Sequence, residues 1–249
     1  SISAEAKEFL ELCVRMKKNI VVAGGTGTGK TTMLNAVSTA VPENERIVVI
    51  EDSSELKLAQ KHSLYLEAQQ ADSYGRGGVT IRELFRASLR MRPDRIIVGE
   101  VRGGEALDMV QSMISGHTGS LTTVHATSPR DALVRLETLS LMSDVDIPIY
   151  VARAQVASAI NVIVQLSRFA DDGSRKVTRV AEAFGLGPNN EYQIHDIFAS
   201  RMRGRSDSGD LIAELEFTGQ QPTFASEPYE QGLEGDISHT LPVWQDPDV

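Results

Sequence analysis

The chain has 249 residues, of which 41% are hydrophobic and 24% are charged, so it can bury a full globular core. No apolar run reaches the roughly 18–20 residues needed to cross a bilayer, and the N-terminal segment lacks the pattern of a secretory signal. These features predict a cytoplasmic protein without a transmembrane segment. The net charge of −9 lies at the C-terminal end, because residues 206–249 hold ten of the 34 acidic residues and none of the 25 Lys and Arg.

The first two thirds of the chain alternate between predicted strands and predicted helices. Apolar residues at helical spacing predict a helix over residues 6–16, and the short apolar run at residues 19–23 predicts a buried strand. The same patterns predict helices at residues 30–40, 79–91, 103–115, 129–141 and 149–159 and buried strands at residues 46–51, 95–99 and 120–125. This alternation predicts an α/β fold with a mostly parallel sheet.

Beyond residue 160 the predicted structure becomes β. Alternating strands at residues 161–169, 175–184 and 191–198 predict a C-terminal antiparallel β meander. From about residue 219 the chain is rich in Pro, Gly and acidic residues and has little periodicity, which predicts poor order. We therefore expect a helical lead-in at residues 1–18, an α/β core at 19–160, a β appendage at 161–224 and an acidic, disordered tail at 225–249.

A glycine-rich segment separates the first predicted strand from the next predicted helix. Residues 24–31 read Gly-Gly-Thr-Gly-Thr-Gly-Lys-Thr, a complete P-loop pattern. In such a loop backbone N–H groups and the lysine bind the phosphates of ATP, and the last hydroxyl binds Mg²⁺. The dinucleotide pattern G-x-G-x-x-G is excluded, because Lys30 occupies the place of its last glycine. The predicted nucleotide-binding residues are Gly24, Gly25, Thr26, Gly27, Thr28, Gly29, Lys30, Thr31 and Thr32.

Hydrolysis also needs an acidic residue near Mg²⁺ and a group that orients water. Glu51 and Glu100 stand at the C-terminal ends of predicted strands, where open α/β sheets bind their ligands. The strand before Glu100 is similar to a Walker B strand, but Gly99 occupies the position where many P-loop proteins have Asp. A surface acid at a strand end is the alternative interpretation of Glu51, and Asp52 either supports the site or only begins a loop.

Histidines and arginines complete the candidate residues. His125 ends an apolar strand at the same sheet edge and is predicted to sense the γ-phosphate, whereas a structural hydrogen bond is an equal alternative for His117. Two histidines without a third ligand make a weak metal site. Three arginines at helical spacing, with three more nearby, form either a solvated helix face or an interface with a neighbouring subunit or its nucleotide. These arginines are Arg82, Arg86, Arg90, Arg92, Arg95 and Arg102.

Three further stretches resemble motifs of the ATPases of type II and type IV secretion systems. Residues 89–102, Leu-Arg-Met-Arg-Pro-Asp-Arg-Ile-Ile-Val-Gly-Glu-Val-Arg, resemble their Walker B region. Residues 116–126, Gly-His-Thr-Gly-Ser-Leu-Thr-Thr-Val-His-Ala, resemble their His box, and Ile-Glu-Asp at residues 50–52 resembles their Asp box. With the P-loop, four motifs stand in the family's order, and the resemblance implies a RecA-like P-loop core.

Two C-terminal segments are similar to the end of CpaF-like ATPases of Tad (tight adherence) pili. They are His-Asp-Ile-Phe at residues 195–198 and Phe-Thr-Gly-Gln-Gln-Pro-Thr-Phe at residues 217–224. Archaeal flagellar motor ATPases and conjugation ATPases are close relatives of that group. Family members usually carry an N-terminal domain, and the chain is expected to be an isolated C-terminal motor domain.

The resemblance also implies roles. Glu51 would orient or deprotonate the attacking water, Glu100 would act on Mg²⁺ through water or share that task, and Thr31 would ligate Mg²⁺. His125 and Arg102 would complete the catalytic set. The resemblance further implies a hexameric ring at the inner membrane, where ATP hydrolysis moves platform proteins for pilus assembly or secretion.

Three alternatives remain at this point. A conjugative type IV secretion ATPase would use the same chemistry with other partner proteins. A nucleotide-gated binding module that no longer hydrolyses ATP is disfavoured, because both Glu51 and Glu100 are present. A nucleic-acid motor is disfavoured, because aromatic residues make up only 5% of the chain and the acidic excess lies in the tail.

Overall fold

The computed structural model describes residues 2–170, 172–206 and 211–247. Within these residues nine strands form one sheet in the order β3-β2-β4-β5-β1-β6-β7-β8-β9. The strands are β1 (Ile20–Gly24), β2 (Ile47–Glu51), β3 (Ser63–Glu67), β4 (Arg95–Val98), β5 (Leu121–Val124), β6 (Val162–Arg168), β7 (Arg175–Leu186), β8 (Tyr192–Arg205) and β9 (Leu211–Phe217). The α-helices are α1 (Ala4–Arg15), α2 (Lys30–Ser38), α3 (Ile81–Ser88), α4 (Glu105–Ile114), α5 (Pro129–Leu141), α6 (Ile149–Ala159) and α7 (Glu227–Glu230).

Neighbouring strands are parallel from β3 to β6 and antiparallel from β6 to β9. The predicted α/β fold with a mostly parallel sheet and antiparallel C-terminal strands is therefore confirmed. β1 pairs with β5 on one side and with β6 on the other. The C-terminal strands thus extend the central sheet, and they bring the β6–β7 hairpin next to the end of β1.

The two faces of the sheet bury separate apolar clusters. Alternate residues of β1 point to opposite faces, so that Ile20 and Val22 join one cluster and Val21 and Ala23 join the other. Helices α1 and α2 cover the first face, and α3 to α6 cover the second. All five residues of β1 are buried, as a central parallel strand requires.

The sequence patterns miss two strands and shorten a third. β3 is a half-exposed edge strand, and β9 lies in the acidic segment. β8 continues to Arg205, beyond the predicted end at residue 198. In its second half Arg203 lies 3.2 Å from Glu214 on β9. This part of the hairpin carries charges paired across the strands instead of an apolar face, so apolar periodicity does not reveal it.

The tail was expected to be disordered, and this expectation is wrong for residues 225–247. Trp244 is 3% exposed and stacks on Phe9 of α1, with ring centroids 5.2 Å apart. Phe224 packs against the same two rings. These aromatic contacts outweigh the acidic, proline-containing composition. The last two residues of the predicted tail, Asp248 and Val249, lie outside the described residues.

Candidate active site

The P-loop connects β1 to α2. Gly27 and Gly29 have φ angles of +69° and +94°, which residues with a Cβ rarely adopt. A Cβ at Gly24 would lie only 2.4 Å from the Thr28 hydroxyl oxygen, and that hydroxyl donates to the Gly25 carbonyl oxygen at 2.9 Å. The loop is therefore a concave backbone cradle at the N-terminus of a helix, which suits a phosphate group. Of the nine predicted nucleotide-binding residues, those at 24–29 form the cradle, and Lys30, Thr31 and Thr32 form the start of α2.

The side chain of Lys30 folds back onto the P-loop and towards Glu100. Its Nζ donates to the Gly25 carbonyl oxygen at 3.1 Å and stands 3.9 Å from Glu100 Oε1. Its side chain is only 10% exposed. Burial lowers the pKa of Lys30, and the nearby Glu100 carboxylate opposes that shift. A partly buried ammonium at this place favours an anionic ligand, because such a ligand restores the solvation that burial removes.

Glu100 lies among the side chains of Lys30, Arg102 and His125. Arg102 Nε donates to Glu100 Oε2 at 2.9 Å, and His125 Nε2 lies 3.7 Å from Glu100 Oε1. The Arg102 guanidinium also contacts Asp52 Oδ2 at 3.3 Å. The hydrogen bond with Glu100 is the main cause that raises the pKa of Arg102. The structure thus places Lys30, Glu100, Arg102 and His125 close together, and Asp52 lies beside them.

Glu51 is buried at the end of β2, with 5% exposure. Its Oε1 accepts hydrogen bonds from the backbone N–H groups of Glu55 and Leu56 at 3.2 and 3.1 Å. Burial raises the pKa of Glu51, and these two hydrogen bonds oppose the shift. Since Glu51 is inside the protein, its interpretation as a surface acid is wrong.

Gly99 makes room for Glu51. A Cβ at Gly99 would lie 2.9 Å from Glu51 Cγ, a distance that real Cβ contacts do not reach. The backbone around Gly99 is fixed on two sides, because its N–H donates to the Ile50 carbonyl oxygen at 2.9 Å and its own carbonyl oxygen accepts from Thr123 Oγ1 at 2.7 Å. An Asp at this position, as in many P-loop proteins, would collide with Glu51.

One cleft joins the P-loop to these acids. Its lining includes Thr31 with Glu51 and Glu100. Thr31 and Glu100 offer a hydroxyl and a carboxylate, which fits Mg²⁺ because this ion usually keeps several waters and takes only one or two carboxylates. In the described residues no group of three or more His, Cys, Asp or Glu could hold a metal ion alone. His117 and His125 therefore find no third ligand of those types there.

Most of the arginine series has partners within the chain. Arg82 and Arg86 both pair with Asp108 on α4, with Arg86 Nε 2.9 Å from Oδ1. Arg95 is 1% exposed, and its Nε donates to Glu45 Oε2 at 2.7 Å. These three arginines form ion pairs between different parts of the fold, and they do not line the cleft of Thr31, Glu51 and Glu100.

Two arginines that the sequence patterns did not single out lie beside the P-loop. They are Arg168 at the end of β6 and Arg175 at the start of β7. No local motif marks them, because their position depends on the pairing of β6 with both β1 and β7.

Comparisons with known proteins identify the family of this chain. Residues 1–210 match the family model described as "Type II/IV secretion system protein". The chain belongs to this family. It is 45% identical over 175 residues to the type IV secretion system protein PtlH of Bordetella pertussis, which covers 68% of this chain and 51% of PtlH. It is 39% identical over 174 residues to VirB11 of Bartonella quintana, which covers 69% of this chain and 48% of that protein.

A solved structure extends the likeness to the fold. The crystal structure of the VirB11 ATPase of Brucella suis in complex with sulphate aligns with a TM-score of 0.64 and 34% identity, over 70% of this chain and 51% of that chain. The chain spans about half the length of the curated relatives it matches. Among the described residues, none of the helices combines the length and the apolar character needed to span a membrane.

Proposed function

We propose that the chain is the ATP-hydrolysing motor domain of a secretion or pilus-assembly machine. The observation that carries this proposal is the single cleft in which Thr31 of the P-loop meets Glu51 and Glu100. A module that only bound nucleotide would need the cradle and a lysine, but not two carboxylates beside them. The similarity to VirB11, which is named an ATPase, supports the same conclusion.

The residues in and around the cleft would have different roles in binding and hydrolysis, which follow from the chemistry of their side chains. ATP would supply the phosphoryl group, and Mg²⁺ would neutralise part of its charge. The P-loop N–H groups and Lys30 would bind the phosphates, while Thr31 and Glu100 would hold the metal ion. Glu51 would orient the attacking water and accept its proton, because a buried carboxylate with a raised pKa is a better proton acceptor than a solvated one. His125 would sense the γ-phosphate through its place beside Glu100.

At the level of the machine, we propose a hexameric ring on the cytoplasmic side of the inner membrane, coupled to platform proteins there. The resemblance to secretion ATPases supports this assignment. The similarity of residues 195–198 and 217–224 to CpaF-like ATPases favours a Tad pilus. The similarity to PtlH and VirB11, which are named type IV secretion system proteins, favours a type IV secretion system as the second candidate.

Phosphate release with Mg²⁺ and ATP tests the enzymatic part. We expect Lys30→Ala to lose nucleotide binding, and Glu51→Gln and Glu100→Gln to keep binding while turnover falls at least about 100-fold. Glu43→Gln, at an exposed position away from the cleft, is the matched control. If Glu51→Gln and Glu100→Gln both hydrolysed ATP as fast as the parent, the assignment of these two residues to catalysis would be wrong. ATP binding without phosphate release would favour the nucleotide-gated module, and stimulation by DNA or RNA would favour a nucleic-acid motor.

A further inference from the structure

Arg168 and Arg175 form a pair of like charges on the β6–β7 hairpin. They are direct cross-strand partners in the antiparallel register, and both are exposed. Like charges directly opposite each other destabilise a sheet. Neither guanidinium forms a salt bridge or a hydrogen bond with another side chain in the described part of the chain. Among the described residues, these two adjacent cations therefore lie together with no anionic side chain bonded to either of them.

The pair lies against the P-loop. β6 runs parallel to β1 with Leu166 beside Gly24, so the chain reaches Arg168 at the level of the loop. Arg168 Nη1 lies 4.0 Å from the place where a Cβ would stand at Gly27, and Arg175 Cδ lies 3.9 Å from the corresponding place at Gly29. Those two glycines have the positive φ angles that shape the cradle, so both arginines lie beside the loop that forms the cradle.

Arg168 and Arg175 lie on one side of the cradle, and the proposed hydrolytic residues lie on the other. In the sheet β1 lies between β6 and β5, and β4 with Glu100 after it lies beyond β5. Lys30 leans towards Glu100, as their 3.9 Å separation shows. A nucleotide in the cradle would therefore have Lys30, Glu100 and His125 on one flank and Arg168 with Arg175 on the other.

We propose that Arg168 and Arg175 are nucleotide-binding residues of the same chain, which contact the α- and β-phosphates of nucleoside di- and triphosphates. This inference rests on the proposed function, since it requires nucleotide in the P-loop. The γ-phosphate belongs on the flank of Glu51 and Glu100, where hydrolysis takes place. The arginines therefore bind the part of the polyphosphate that remains in the product, and the anion removes the repulsion between them.

The test compares ADP, ATP and adenosine binding by calorimetry in Arg168→Gln, Arg175→Gln and the double variant. Each replacement should weaken ADP and ATP equally, on the order of tenfold, because one charge-assisted contact is lost. Adenosine binding should not change. Arg135→Gln, at an exposed arginine on α5 away from the P-loop, should bind as the parent does. Without nucleotide, the double variant should melt at the parental temperature or above it, whereas a purely structural role would lower that temperature.

Two results would overturn the inference. One is an ADP affinity of the double variant within twofold of the parent, and the other is a loss confined to ATP, which would place the arginines at the γ-phosphate. If the parent binds ADP and Lys30→Ala does not, while the arginine variants bind normally, this inference fails and the proposed function stands. If the parent binds no nucleotide, both fail.

Discussion

Glu8 of α1 holds the C-terminal segment against the first helix through hydrogen bonds. The contribution of its charge to stability can be measured directly. Its carboxylate is 8% exposed and accepts hydrogen bonds from the backbone N–H groups of Ser238, His239 and Thr240 at 2.9 to 3.0 Å. The hydroxyls of Ser238 and Thr240 also donate to it. Thr240 Oγ1 in turn accepts from Trp244 Nε1 at 2.8 Å. One buried carboxylate thus holds a turn that is some 230 residues away along the chain.

The contribution of Glu8 to the free energy of unfolding follows from its lowered pKa. Burial alone would raise its pKa, but the hydrogen bonds from Ser238, Thr240 and His239 outweigh burial and lower it from 4.5 to about 2. Each tenfold change in proton affinity corresponds to about 1.4 kcal/mol, so the ionised carboxylate contributes on the order of 3 kcal/mol at neutral pH. Because the pKa is lower in the folded state, this contribution is complete above about pH 4.5 and is lost as the pH falls towards about 2.

Glu8→Gln tests this reasoning. The amide NH₂ group would face N–H donors, so we expect a loss on the order of 3 kcal/mol in the free energy of unfolding at pH 7, and a much smaller difference from the parent near pH 2–3. Denaturant titration followed by circular dichroism measures the free energy, and the emission of Trp244, the one tryptophan of the chain, follows release of the tail. Glu11→Gln is the control, because the ion pair of Glu11 with Lys7 is exposed and contributes at most about 1 kcal/mol. A loss in Glu8→Gln that is the same at pH 7 and pH 3 would refute the electrostatic explanation.

Two other substitutions follow from close contacts. Gly99→Ala would push its methyl group into Glu51, so turnover should fall by about tenfold to a hundredfold while ATP affinity changes little; Gly235→Ala, where no atom lies within 4 Å, should have no such effect in the same phosphate-release assay. Arg95→Met should lower the free energy of unfolding by up to about 3–5 kcal/mol, because the buried Glu45 would lose its hydrogen-bonded partner and keep only Lys17, whose Nζ lies 3.8 Å away. Adding Glu45→Gln should recover part of that loss in denaturant titration, and a further loss of the same size would contradict the pairing.

The P-loop and the parallel core could be predicted because their requirements are local. A short apolar run followed by glycines and a lysine fixes the conformation of residues 24–31 almost alone, and each buried strand is marked by its own apolar run. Glu51 and Glu100 could be singled out as candidate residues for a related reason. Parallel strands end at a common edge, so acids after two different strands meet without any knowledge of the contacts between them.

The features that could not be predicted depend on pairing between distant segments. The sequence marks Gly99 as unusual, but only the pairing of β2 with β4 shows that its missing Cβ makes space for Glu51. Arg168 and Arg175 look like ordinary strand-end arginines until the register places them opposite each other and beside the loop. The tail was misjudged because composition averages over residues, whereas Trp244 alone buries a large ring against Phe9.

The ion pair of Arg102 with Glu100 affects how a metal ion would bind in the cleft. Arg102 lies two residues after Glu100 and its side chain is 65% exposed, so it can leave Glu100 without disturbing the core. Glu100 is 18% exposed and has Lys30 and His125 as its other neighbours. A divalent cation at Thr31 would compete directly with Arg102 for this carboxylate. Release of Arg102 would then leave its guanidinium beside Asp52, which also lines the cleft.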